Sequence, residues 1–162
     1  MEDHGSPALR RLLDAHGDAV QETHALHGDA TARVARGRVV ELMRFLREDP
    51  ETRFEMLADL TAVDYLGESP RFEVVYHLYS LEKNHRLRIK ARVPEDDCAI
   101  DSIAGVWPAA NWLEREVWDM YGIRFRGHPD PRRLLLYEEF DGHPLRKDYA
   151  KEKRQPLVGP EN

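Results

Sequence analysis

Cysteine is nearly absent: Cys98 is the single one in 162 residues. That excludes an internal disulfide, and it excludes an iron–sulfur cluster held by cysteines of this chain alone. Long apolar runs are missing too. Nothing approaches the roughly 18 to 20 residues that a membrane-crossing helix needs, and the opening MEDHGSPALRR lacks the apolar stretch of a signal peptide. The expectation is a protein that stays in the reducing, cytosol-like compartment where it is made. The 10 glycines form neither a G-x-G-x-x-G fingerprint nor a phosphate loop, and there is no nucleophile elbow. Basic charge is outweighed, with 24 Lys+Arg against 30 Asp+Glu, which argues against a general nucleic-acid binder. No internal repeat or low-complexity tract organises the chain.

What is present, 41% hydrophobic and 33% charged residues, describes one highly charged globular domain long enough to bury a core, followed by a tail. Ser6 and Pro7 read as the N-cap and first residue of a helix to His16. Ala19 to Val34 reads as two short strands around His27-Gly28-Asp29. Val39, Leu42, Met43 and Leu46 repeat at helical spacing, so Arg38 to Glu48 is a helix that Asp49-Pro50 stops. Phe54 to Tyr65, Arg71 to Leu81 and His85 to Val93 read as the main strands, with a break at Leu66 to Pro70 and a turn at Pro94 to Asp97. Ser102 to Trp107 is expected to be a short helix, and Trp112 to Gly122 a longer one.

A hairpin turning at Lys83-Asn84 puts Leu87, Ile89, Ala91 and Val93 on the same side as Ser80, Leu78, Tyr76 and Val74. The other side carries Arg86, Arg88, Lys90 and Arg92 opposite Leu81, Tyr79, His77 and Val75. That basic stripe fits a solvated sheet face, with docking on an acidic partner as the alternative.

The segment from Glu114 to Tyr149 concentrates acids, bases and aromatics. At about 100° per residue, Leu113, Val117 and Met120 share a stripe, but Trp112, Glu114, Trp118 and Tyr121 mix polar and apolar residues round the helix. Arg115 and Asp119, four apart, have the spacing of a pair along the helix. Glu114 and Glu116 are then expected to need arginine partners such as Arg115, Arg124, Arg132 or Arg133. Two apart, they point in different directions, which is wrong for a shared catalytic pair. Cys98 beside Asp96 and Asp97 is expected to have a raised thiol pKa and to fill space. His128, Asp130 and His143, with Asp119 or Glu116, offer nitrogen and oxygen for a metal. Both histidines precede proline, however, and none belongs to a helical His-x-x-x-His pair, so hydrogen bonding in a polar interface is the plainer reading.

From Gly127 onward, Pro129, Pro131, Gly142 and Pro144 enforce extended backbone, whose amides and carbonyls are expected to find partners on another protein. Arg146-Lys147-Asp148-Tyr149 adds charge around an aromatic anchor. The expected organisation is a globular domain over 1–123, a partner-docking arm over 124–150 and a polar tail over 151–162.

The ordered run Glu114-Arg115-Glu116, Asp119, Tyr121-Gly122-Ile123, Phe125, Gly127-His128-Pro129-Asp130, Arg132-Arg133-Leu134-Leu135 and Gly142-His143-Pro144-Leu145-Arg146-Lys147-Asp148-Tyr149 closely resembles the C-terminal signature of the 30 kDa subunit family of respiratory NADH:quinone oxidoreductase, complex I. Pro131 and Ala150 depart from that pattern. The pattern of helices and strands predicts an α+β fold, with a mixed, mostly antiparallel sheet packed by helices on one side and an extended C-terminal arm, and the resemblance agrees with it. The resemblance further implies a non-redox subunit of the peripheral arm, on the cytoplasmic side of the cell inner membrane. That subunit would sit beside the quinone-site and cluster-carrying subunits, and NADH, FMN, iron–sulfur clusters and quinone would be held by those partners. An equivalent subunit of a membrane-bound hydrogenase or formate hydrogenlyase is the related alternative. A free-standing metal-dependent hydrolase using His128, Asp130 and His143 is the unrelated one.

Overall fold

The computed structural model describes residues 1–155. It contains a five-stranded mixed sheet, three α-helices and a two-stranded parallel sheet, in an α+β arrangement. The strands are β1 (Val20–His24), β2 (Thr31–Val34), β3 (Met56–Asp64), β4 (Phe72–Ser80), β5 (His85–Val93), β6 (Ala99–Asp101) and β7 (Arg124–Arg126). The helices are α1 (Pro7–His16), α2 (Val39–Glu48) and α3 (Ala110–Tyr121). The large sheet runs in the order β1-β2-β5-β4-β3. Its pairs are antiparallel except β2 with β5, which are parallel. None of the helices among the described residues is long and apolar enough to cross a membrane.

Local chemistry accounts for the elements. The Ser6 hydroxyl accepts the Leu9 N–H at 3.3 Å, and Pro7 needs no partner in the first turn of α1. In β4 and β5 the inward residues Phe72, Val74, Tyr76, Leu78, Leu87, Ile89, Ala91 and Val93 join one core with Leu9, Leu12, Leu42, Met43, Leu46 and Val117 from the three helices. Each such aliphatic side chain taken from water contributes roughly 1.5–3 kcal/mol.

The hairpin differs from expectation in register. Ser80 pairs with His85 and Leu78 with Leu87, so the loop is Leu81 to Asn84 and the ladder is shifted by two residues. A shift of two preserves the side-chain faces, which is why the apolar set is still the buried one. Ser102 to Trp107 is a turn instead of a helix, closed by the Val106 and Trp107 amides on the Ile103 carbonyl at 2.8 and 3.0 Å. Pro108 follows it, and proline disfavours helical backbone in the residue before it. β6 and β7 have too few residues for periodicity to reveal, and their parallel pairing joins Arg124 to Arg126 to Ala99 to Asp101.

Three of the four cations of the basic stripe are paired with acids of this chain. Arg88 pairs with Asp29, Lys90 with Glu73 and Arg92 with Glu68, while Arg86 lies over the Tyr79 ring.

Candidate functional site

The last turn of α3 and the chain beyond it form a polar junction. Gly122 ends the helix at φ 75°, and its amide donates to the Trp118 carbonyl at 2.8 Å. A Cβ there would lie 2.5 Å from His143 and 2.7 Å from Arg146, so glycine serves both the left-handed cap and the close approach of the arm.

Glu114 is fully buried, but its partners are not the expected arginines. Its carboxylate accepts the Ile103 N–H at 2.7 Å and lies 2.6 Å from the Ser102 hydroxyl, with His128 Nε2 3.8 Å away. Burial pushes its pKa up to about 7, against the pull of those two hydrogen bonds. Arg115 does not pair along the helix with Asp119. It reaches over to the arm, donating to the Arg132 and Arg133 carbonyls at 2.9 Å each and approaching Asp130 at 3.6 Å.

Asp119 is the carboxylate that pairs with an arginine. It accepts from Arg133 at 2.7 Å and from the Leu134, Leu135 and Leu136 amides at 3.0, 2.8 and 3.0 Å. Burial pushes its carboxyl up, but these donors together outweigh it and hold the group below the usual range. The expectation that the arm's backbone needs partners on another protein is corrected here, because three successive amides are satisfied by one side chain of α3. His143 adds a bond from Nδ1 to the Asp119 carbonyl at 3.0 Å.

A second anchor sits at the end of the large sheet. Arg71, nearly buried, donates to both oxygens of Asp64, to both oxygens of Asp148 and to Glu95. The Lys147 amide donates to Asp64 at 2.8 Å, and the Leu145 amide to the Met120 carbonyl at 3.1 Å. Arg71 lowers the pKa of both aspartates. Arg146 donates to the Tyr121 carbonyl at 2.6 Å and lies over Phe72. Its guanidinium is 4.0 Å from Cys98, whose thiol pKa is raised chiefly by burial and not by Asp96 and Asp97. Gly142, at φ 99°, lets Tyr149 pack close, and Phe140 stacks on Tyr149. Lys153 and Gln155 bind Asp141, which ties down the described part of the tail; residues 156–162 of the expected polar tail lie outside the described residues.

The signature thus divides. Glu114, Asp119, Tyr121, Gly122, Phe125, His128, Arg133, His143, Arg146 and Asp148 are brought together at the two anchors. Glu116, Gly127, Pro129, Arg132, Leu145 and Lys147 are exposed, and so is Asp148 even though it pairs with Arg71. Trp112, Leu135 and Leu145, at 60%, 61% and 52% exposure, offer apolar surface on α3 and the arm. Arg132 pairs locally with Asp130, and Pro144 is half-buried.

His128, Asp130 and His143 do not converge. His128 bonds the Asn111 carbonyl and the Asp130 amide, and no group of three or more His, Cys, Asp or Glu suited to a metal occurs among the described residues. Sequence reasoning missed Asp64, Arg71 and Ser102. Asp64 could have been found, because it continues the inward phase of Leu60 and Ala62, where a carboxylate demands a cation.

Residues 32–155 match the family profile described as the respiratory-chain NADH dehydrogenase 30 kDa subunit. The chain is 47% identical over 154 residues to the NADH-quinone oxidoreductase C subunit of Geotalea uraniireducens (strain Rf4), covering 95% of this chain and 89% of that one. The C 2 subunit of the NADH-quinone oxidoreductase of Rhizobium etli (strain CIAT 652) is 47% identical over 157 residues, covering 93% and 83%. Among solved structures, a trypsin-resistant fragment of Nqo5 superposes with a TM-score of 0.68 at 34% identity, over 76% of this chain and 98% of the fragment. A chain of an archaeal membrane-bound sulfane sulfur reductase shares the fold, with a TM-score of 0.78 at 24% identity over 91% and 86%.

Proposed function

This chain belongs to the 30 kDa subunit family of respiratory-chain NADH dehydrogenases, and we propose that it is the C subunit of an NADH-quinone oxidoreductase, acting as a structural part of the peripheral arm. In this reading it holds no redox group. NADH, FMN, iron–sulfur clusters and quinone are bound by its partners, and it meets the cell inner membrane peripherally, on the cytoplasmic side. The names of its relatives favour this assignment over a hydrogenase-linked complex.

The division of the signature carries the proposal. Its inward half spends charges and hydrogen bonds on laying the arm against α3 and the sheet end. Its outward half leaves Glu116, Leu135 and Leu145 exposed, with Trp112 exposed just ahead of it on α3, a mixture of aromatic, aliphatic and charged surface suited to docking. The trypsin resistance of the Nqo5 fragment supports a separable folded body in this family.

The test pairs assembly with stability. Glu116→Ala and the double variant Trp112→Ser/Leu135→Ser should shift the chain's own stability by no more than about 0.5 kcal/mol, as exposed positions do. Both should reduce co-purification with the other oxidoreductase subunits. Undiminished co-purification of both variants would place the docking surface elsewhere.

A further inference from the structure

Glu114 lies where four parts of the molecule meet: α3, the turn at Ser102–Ile103, the beginning of the arm at His128, and β4. It is 0% exposed. Among the described residues, no lysine or arginine forms an ion pair with it. Arg115, its neighbour in sequence, is committed to the arm's carbonyls and Asp130.

His128 does not supply the missing charge. Its Nδ1 accepts the Asp130 N–H at 3.0 Å, which makes Nε2 the protonated nitrogen, and that N–H donates to the Asn111 carbonyl at 3.0 Å. With one ring nitrogen accepting and the other donating, the imidazole is in its neutral tautomer. From β4, Tyr76 brings a fully buried hydroxyl with no hydrogen-bond partner among the described residues, and Asp101 of β6, which also acts on that hydroxyl, is paired with Arg126. An ionised carboxylate in this setting has no lysine or arginine counter-charge among the described residues, and none of its own surface is exposed.

We propose that Glu114 binds a proton in the folded protein at neutral pH and so acts as a proton-dependent clasp joining α3, the Ser102–Ile103 turn and the start of the arm. The hydrogen-bond geometry accommodates both states. In the ionised form Oε1 accepts from the Ile103 amide, Oε2 accepts from the Ser102 hydroxyl, and that hydroxyl accepts the Ala104 N–H at 3.1 Å. In the protonated form Oε2–H donates to the same hydroxyl, whose own hydrogen turns to solvent because Ser102 is half-buried. The 2.6 Å contact persists with its direction reversed, the Ile103 bond is unchanged, and the buried charge is gone.

The direction of the pKa shift agrees. The folded group titrates about 7 against an ordinary value of 4.5. Its contribution to stability is therefore fully present below about 4.5 and is lost as pH rises through about 7. His77 and His143, whose pKa values burial lowers, act in the opposite sense, so the wild-type profile alone mixes the two effects.

The experiment is thermal unfolding of the full-length chain and its Glu114→Gln variant from about pH 5 to about pH 8.5, with ¹³C titration of the Glu114 side-chain carboxyl in the wild type. Glutamine keeps the shape of the neutral acid. The variant's melting temperature should gain on the wild type by roughly 5 °C or more across this range and then level off. The carboxyl resonance should move with a midpoint near 7. A melting difference independent of pH, or a midpoint at the ordinary glutamate value, overturns the proposal. If the variant does not fold, the wild-type carboxyl midpoint decides alone. None of these readouts depends on the family role proposed above.

Discussion

The β4–β5 hairpin and the C-terminal arm from Gly127 both pack into the same fold, yet they are held by opposite means. The hairpin rests on a nine-pair backbone ladder and a continuous apolar face, in which Tyr76, Leu78, Leu87 and Ile89 are each 2% exposed or less. The arm has no ladder of its own and little apolar burial. It is fixed where buried or half-buried charges collect its backbone: Asp119 takes three amides and Arg133, and the Arg71–Asp64 pair takes the Lys147 amide and Asp148. A region held by area tolerates the loss of any one small contact. A region held at two points fails when either is removed.

That contrast is tested hardest in the sheet. Ile89→Asp puts a charge against Tyr76 in a hydrophobic cluster that, among the described residues, contains no cation. The cost, on the order of 5 kcal/mol or more, is comparable to the whole stability of a domain. The variant should lack a cooperative thermal transition. A native-like melt would show that the sheet is as locally fastened as the arm.

Asp119→Ala should cost about 3–5 kcal/mol, because it strands the Arg133 charge and three amide donors. The damage should be confined to the arm. Amide exchange should accelerate at Leu134 to Leu136 and leave the β4–β5 ladder protected. Equal loss of protection in both regions would mean that arm and sheet are one cooperative unit.

Acid should separate the two regions more gently. Asp119, Asp64 and Asp148 all have pKa values held below 3.8. Their contribution is present above the ordinary aspartate value and is lost as pH falls through the lowered ones. Amide-exchange protection at Leu134 to Leu136 should therefore be lost at acid pH before that of the β4–β5 ladder. Simultaneous loss would remove the distinction.

The same contrast explains what could be read from the chain. α1 has its expected bounds because Ser6, Pro7 and the Leu9, Leu12 repeat all act within a few residues. The faces of β4 and β5 are legible because alternation is local, and they survive the two-residue register shift for the same reason. The signature locates the arm, but proximity in sequence misassigns its partners. Arg124, a candidate for Glu114 or Glu116, is exposed, while Arg71, which anchors Asp148, lies 77 positions away.

What the sequence determined by itself, then, was what period, capping and composition carry: the three long helices, the main strands, the inward faces and the family signature. The tertiary structure alone decided charge. Glu114 and Asp119 are both acids on one helix and both fully buried, yet one is pushed up to about 7 and the other held below its ordinary value. A carboxyl's state depends on the donors that surround it, and here they come from Ser102 and Ile103 for one, and from Arg133 and three arm amides for the other. Which donors arrive is settled only when the turn and the arm have folded back onto the helix.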